Sequence, residues 1–324
     1  MRTLSTYAFL LTFATSGMMS AACADSYPSA PIRLVLPLAA GGATDNLARI
    51  AGSAASATLG QPIIIENRPG GGGSIASNTV AKAKADGYTL LLANFATHAV
   101  APTMLPSLPY DPIGDFTPIA LLASSPHVLM VSNDTDIKSV SDLIASAKSN
   151  SGKLNFASSG VGSPLHLAGE YFNAKAGIDI IHVPYKSSVP ALVDLMSGRV
   201  QMMFDNLSTG LPYVTDGRVR GLAVTSAKRS PLAPDLPTVT ESGLPEFETY
   251  GWWGILAPAN VPPEVVSKLS AAFMSAMKAN DVRNVLIAQG YDPIGGDPAS
   301  FANHIKSEIA KWRPVIQATN IAAK

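Results

Sequence analysis

Two segments of this chain carry the residue types that bind an anion through the main chain. In Leu36-Pro37-Leu38-Ala39-Ala40-Gly41-Gly42-Ala43-Thr44-Asp45, small residues and two glycines lead directly into a helical pattern, which leaves amide groups at the helix start uncovered. Unpaired N–H groups and the positive end of a helix macrodipole, about half an elementary charge, favour a carboxylate or phosphate there. Leu38, Ala40, Gly41, Gly42, Thr44 and Asp45 are the candidate ligand-binding residues of this turn, which reads equally as a plain strand-to-helix connection capped by Thr44 or Asp45. The second segment, Ser158-Ser159-Gly160-Val161-Gly162-Ser163-Pro164-Leu165-His166, also follows a strand pattern and opens a helix. Pro164 suits the first helical turn and Ser163 the N-cap, while Gly160 and Gly162 let backbone approach a ligand. Ser158, Ser159, Gly162 and Ser163 are its candidates, and a cleft gripping an anion from both sides needs one such turn on each wall.

Weaker candidates surround these. His166 could donate to a ligand, although a lone histidine on a first helical turn is more often packed or solvated. Asp205 ends a strand pattern and either faces the same cleft, accepting from a hydroxyl, an amine or water, or caps a solvated turn. Asn94 and Thr97 close another strand at the end where open α/β sheets place ligands. Trp252 and Trp253 are adjacent in a strand pattern, so at least one belongs to the core.

Catalytic and metal chemistry finds little support. There is no Gly-x-Ser-x-Gly elbow and no Walker lysine, and the five histidines (His98, His127, His166, His182 and His304) form no metal-ligating pair. Gly71-Gly72-Gly73-Ser74-Ile75-Ala76 has the form of a dinucleotide fingerprint, but Asn67-Arg68-Pro69 separates the strand from the glycines and no acid follows at the required distance. No cofactor and no metal are expected.

The elements that must position these turns alternate. Pro31–Leu36, Pro62–Glu66 and Tyr88–Ala93 read as strands separated by helices over Thr44–Leu59 and Ser74–Ala85. A Pro-rich connection, 102 to 118, leads into an apolar stretch from Ile119 to Val131, broken at Ser124-Ser125-Pro126 where the chain is expected to cross between lobes. A second alternating set runs to Thr225. After a Pro-rich wrap, Tyr250–Leu256 returns to the first lobe, and helices over Pro263–Lys278 and Pro298–Gln317 finish the chain. This order predicts an α/β protein with parallel sheets flanked by helices.

With 324 residues the chain exceeds the roughly 250 at which a single core stops growing. Two lobes are expected, one from residues 25 to 124 plus 250 to 324 and the other from 125 to 249. Hydrophobic residues make up 47% and charged residues 14%, with 23 basic and 23 acidic side chains and no dense Lys/Arg run. That balance argues against nucleic acid and charge-steered partners. Residues 1 to 24 read as an export leader: Arg2 is their only charge, an apolar run opens at Ala8, and Ala22-Cys23-Ala24 suits a signal peptidase. Cleavage there removes the only cysteine, as befits an oxidising compartment. The alternative makes Cys23 a lipid-attachment site.

Ordered phrases along nearly the whole mature chain carry a resemblance. They include Pro31-Ile32-Arg33-Leu34-Val35, Gly41-Gly42 with Asp45, Glu66-Asn67-Arg68-Pro69-Gly70 and Asp86-Gly87-Tyr88-Thr89-Leu90. Later come Ser158-Ser159-Gly160 with His166-Leu167, Val183-Pro184-Tyr185-Lys186 and Glu241-Ser242-Gly243. Together they resemble the Bug-type extracytoplasmic solute receptors of tripartite tricarboxylate transporters. The resemblance implies a type II periplasmic-binding-protein fold, with two lobes, a central cleft and two crossover strands. It implies a ligand carboxylate held by the two glycine and serine loops through backbone and bridging water. The chain departs from that pattern at Ser187-Ser188 and at Leu38-Ala39-Ala40, which bears on selectivity. The expected function is periplasmic capture of a small carboxylate (a di- or tricarboxylate, an amino acid or an aromatic acid) by a monomer that delivers it to membrane transporter subunits. A ligand sensor for a signalling partner and a periplasmic hydrolase are the rivals.

Overall fold

The structure is a computed structural model that describes residues 27 to 318; the leader, Cys23 and Asp25 lie outside the described residues. The first half follows the expected alternation: β1 (Ile32–Leu36), α1 (Ala43–Leu59), β2 (Ile63–Asn67), a 3-10 turn (Gly71–Gly73), α2 (Ser74–Ala81) and β3 (Thr89–Asn94). These strands pair in parallel in the order β2-β1-β3. The central ones are nearly unbroken apolar runs because helices cover both faces. A π-helical turn (Ala96–Val100) and a short α3 (Ala101–Met104) then lead to β4 (Phe116–Val131).

β4 is a 16-residue strand that belongs to both halves of the molecule. From Phe116 to Pro126 it pairs antiparallel with β9 (Tyr250–Pro258), which itself pairs with β3. From His127 to Val131 it pairs instead with β7 (Met202–Asn206), and from Val128 also with β8 (Arg220–Val224). The exchange falls at Pro126, whose ring nitrogen has no hydrogen to give to a ladder. The sequence places a break at Ser124-Ser125-Pro126; the backbone runs through it extended, and only the pairing changes.

The second half adds α4 (Val140–Ser149), β5 (Asn155–Ser158), α5 (Pro164–Ala176), β6 (Ile181–Pro184), α6 (Ser188–Met196) and α7 (Leu207–Thr215), with β7, β5 and β6 parallel. After β9 come α8 (Pro263–Lys278), α9 (Asn280–Ala288), β10 (Asp292–Gly296), which pairs with β4, and α10 (Pro298–Ala318). Three of these were not expected from sequence. In α7, Gly210 and Pro212 read as breakers. α9 buries only Val282 and Leu286, too few residues to show a period, and β10 contains a proline and two glycines.

Four apolar clusters cover the two faces of the two sheet regions. Leu34, Leu90 and Phe273 centre one and Phe95, Trp252 and Trp312 another, both built from residues up to 123 and beyond 251 apart from Leu167 of α5 and its partly buried neighbour Tyr171. Phe156, Phe172 and Phe247 centre the third, and Val128, Met203 and Leu207 the fourth.

Thr225 ties together both strands that pass between the halves. Its Oγ1 accepts from the His127 amide (2.8 Å) and donates to the Thr249 carbonyl (2.6 Å), while its own amide donates to the His127 carbonyl (2.9 Å). The His127 Nδ1 lies 3.0 Å from Thr249 Oγ1, and burial pushes that imidazole down to about 3, so it stays neutral. Thr225→Val orphans a buried donor and a buried acceptor at once. It should lower unfolding stability by about 2 kcal/mol, read from the denaturant midpoint.

Candidate functional site

A cavity of about 560 Å³ opens between the two halves, lined by Gly41, Gly42, Asp45, Asn46 and Arg49 on one wall and by Ser208 and Thr209 on the other, with Ala288, Gln289 and Tyr291 between them. The first wall is the start of α1. Gly42 is its N-cap without a side-chain cap, and the amides of Gly42, Thr44 and Asp45 have no acceptor among the described residues. Gly41 takes φ +88°, the left-handed region in which a side chain is strained.

The polar side chains of this turn are committed to holding its shape. Asp45 accepts from the Gly41 amide (3.1 Å), from Asn67 Nδ2 (3.1 Å) and from both nitrogens of the Arg49 fork (2.9 and 3.1 Å). The Arg49 guanidinium, ahead of the Gly41 and Asn67 donors, brings the Asp45 carboxyl down to about 2. Asn67 also donates to the Leu38 carbonyl (3.0 Å), and Thr44 Oγ1 accepts from Trp253 Nε1 (2.8 Å). Leu38, Ala40, Gly41 and Gly42 remain exposed at the tip.

The opposite wall is the start of α7. Asn206 is its N-cap without a side-chain cap, and the amides of Leu207, Ser208 and Thr209 have no acceptor among the described residues. It sits against the α9–β10 turn so closely that a Cβ on Gly290 would fall 2.8 Å from the Ser208 nitrogen. Two helix starts, one from each half, therefore present free amides to one cavity, and the only cation lining it, Arg49, is already paired. A larger groove of about 900 Å³ along α8 is built from one half alone, and the two helix starts that line it, Pro263 of α8 and Pro298 of α10, are prolines with no amide hydrogen to give.

The Ser158–Ser163 turn does not line that cavity. Gly162 abuts α3 of the first half, where a Cβ would fall 2.6 Å from Met104 Sδ. Ser158 is buried and bonds to the Gly160 amide (3.1 Å) and to His182 Nε2 (2.7 Å), and Ser163 caps α5 by accepting from the His166 amide. His166 Nδ1 accepts from the Gly162 amide (3.1 Å), its Nε2 faces Glu170 (3.4 Å), and its ring stacks on His182 at 3.6 Å. Ser159 and the exposed Val161 form the tip. Asn94 and Thr97 are buried and interlocked, each accepting from the other's amide (3.2 and 3.1 Å). Both tryptophans belong to the core.

Residues 47–321 match the tripartite tricarboxylate transporter family receptor. The chain belongs to that family. Protein BugT of Bordetella pertussis (strain Tohama I) is 36% identical over 312 residues, 96% of either chain. The structure of R. palustris Rpa4515 with adipate superposes with a TM-score of 0.80 at 38% identity, covering 92% of this chain and 98% of that one. MatC from Rhodopseudomonas palustris with bound malate gives 0.77 at 35% identity, covering 90% and 100%. The architecture expected from the resemblance, a two-lobed α/β receptor crossed by two strands, is the one observed. The protein is a solute-binding receptor.

In this receptor the site signal that sequence reading passed over is α7. Asp205 was read, but the helix behind it was not, because Gly210 and Pro212 masked its period. Among the described residues no cluster of three His, Cys, Asp or Glu side chains is placed to hold a metal. Gly42 offers the cleanest test of the cavity: its φ suits any residue, and a Cβ there meets nothing within 4 Å. Gly42→Leu should leave the melting temperature unchanged while weakening ligand binding more than about tenfold, measured calorimetrically, because the side chain fills the space before the α1 amides.

Proposed function

We propose that this receptor captures a small carboxylate-bearing acid between the starts of α1 and α7 and delivers it, untransformed, to membrane transporter subunits. The observation that carries this reading is the pair of uncapped helix starts with free amides across one cavity. Backbone amides bind a carboxylate without a desolvated counter-charge, and two helix dipoles add to their field. The related structures with adipate and with bound malate favour the same ligand class.

The lobes are taken as residues 25 to 124 with 250 to 324, and 125 to 249. Of the residues singled out by sequence, Gly41 and Gly42 supply the first-lobe surface with Leu38 and Ala40 beside them on the exposed tip, while the Ser158–Ser163 turn stands outside the cavity against Met104. Thr44, Asp45, Asn94, Thr97, Ser163 and His166 hold the turns in shape. A carboxylate docks on the first wall, the second lobe swings onto it about Ser125–His127 and Thr249–Tyr250, and the excess affinity for the closed form drives the swing. A periplasmic monomer released from its leader suits this role.

Isothermal titration with succinate, malate, adipate, aspartate and benzoate should find at least one binder that also raises the melting temperature. Recovery of that acid unchanged after prolonged incubation is expected, and its turnover by the purified protein would sink the receptor reading.

A further inference from the structure

The carboxyl group of Asp205 lies one residue before the N-cap of α7 and is fully buried (0% exposed). Its Oδ1 accepts from Ser188 Oγ (2.7 Å) and from the Asn206 amide (2.8 Å), and its Oδ2 has no hydrogen-bond partner. The groups it meets by hydrogen bond or sheet pairing are uncharged: Ser188 of α6, Asn206 at the cap of α7, Thr209 within α7, and Val128 across the sheet. On the far wall the charges are Asp45 and Arg49, already joined as an ion pair. Thr209 both contacts this carboxyl and lines the cavity, so a ligand carboxylate on the first turn of α7 is separated from Asp205 by little more than that side chain. Like charges that close, screened by protein instead of water, repel strongly.

We propose that ligand capture at this cleft is coupled to the uptake of a proton by Asp205, which neutralises the one buried acid beneath the anion-binding start of α7. The inference rests on the acid-binding reading of the cavity and adds its regulation: affinity rises as pH falls. Burial already holds Asp205 up at about 6, against the opposing pull of Ser188, Thr209 and the Asn206 amide. The empty receptor therefore carries this group largely as the carboxylate at neutral pH, close enough to its titration for a second negative charge to protonate it. An arriving carboxylate raises the group further, so the bound state holds a proton that the free state lacks, and binding weakens as pH rises through that window. The partnerless Oδ2 is the atom that accepts the proton, which leaves the bonds to Oδ1 in place.

Succinate, malate and adipate should be titrated calorimetrically from pH 6 to 8, each in two buffers of different ionisation enthalpy, against the wild type and Asp205→Asn. Asparagine keeps a carbonyl acceptor for Ser188 and the Asn206 amide, and its use cancels the titration of the acids themselves. The wild type should lose about tenfold in affinity across the range, with buffer-dependent heats that correspond to uptake of about half a proton or more at pH 7. The variant should change by less than about twofold and take up none. The same pH dependence in both proteins, or buffer-independent heats in the wild type, overturns the coupling while leaving acid binding intact. Absence of binding by every acid overturns the reading of the cleft and the coupling with it. If the variant does not fold, the two-buffer measurement on the wild type decides alone.

Discussion

The first amides of a helix cannot be satisfied by the helix itself, and this protein leaves that debt open at two places that face each other. The starts of α1 and α7 have neither a side-chain cap nor a backbone acceptor for their first amides. Two other helices close the same debt with a serine, Ser139 on α4 and Ser163 on α5, while α2, α6, α8 and α9 also start without a side-chain cap but do not face a second helix start across this cavity. A serine or aspartate cap at Gly42 or Asn206 would fill the place an anion takes. The side chains with caps to give are therefore used behind the turn, where Asp45, Asn67 and Trp253 fasten it without covering its tip.

A site of the proposed kind would recognise charge more than shape. The one cation on the cavity wall is neutralised by Asp45, so attraction for an anion would come from aligned peptide dipoles, which avoid the large desolvation cost of a bare ion pair. Asp205 runs against this design. A buried acid with one unpaired oxygen beneath an anion-binding turn is a source of tension that either a proton or a rearrangement must relieve.

The closing motion proposed for the second wall would turn on β4. Because the same strand serves both sheets, the lobes share a covalent and hydrogen-bonded axis at Ser125 to His127, reinforced by Thr225 and by Thr249 on the returning chain. Pro126 allows the change of partners without leaving an orphaned amide. Gly290 lets α7 rest against the first half at backbone distance, and Ser125 Oγ donates to the Gly290 carbonyl (2.9 Å). The second helix start is thereby set beside the axis itself, where the proposed rotation would open or close the gap.

The local order of strands and helices was legible because its causes are local. Apolar runs such as Ile63-Ile64-Ile65 and the cap residues Ser139 and Ser163 act within a few residues of themselves, and the glycine turn at Gly41-Gly42 stands out on composition alone. The sequence also displays the chemistry on which the proposed site relies, free main-chain donors at helix starts. It could not say which two starts meet. The Ser158–Ser163 turn had the stronger motif, yet its Gly162 amide is absorbed by His166 and its backbone rests on Met104, while α7, concealed by Gly210 and Pro212, faces α1. Which turns share a cavity depends on the partner exchange along β4 and the close approach at Gly290, contacts between residues far apart in the chain, and only tertiary packing decides those.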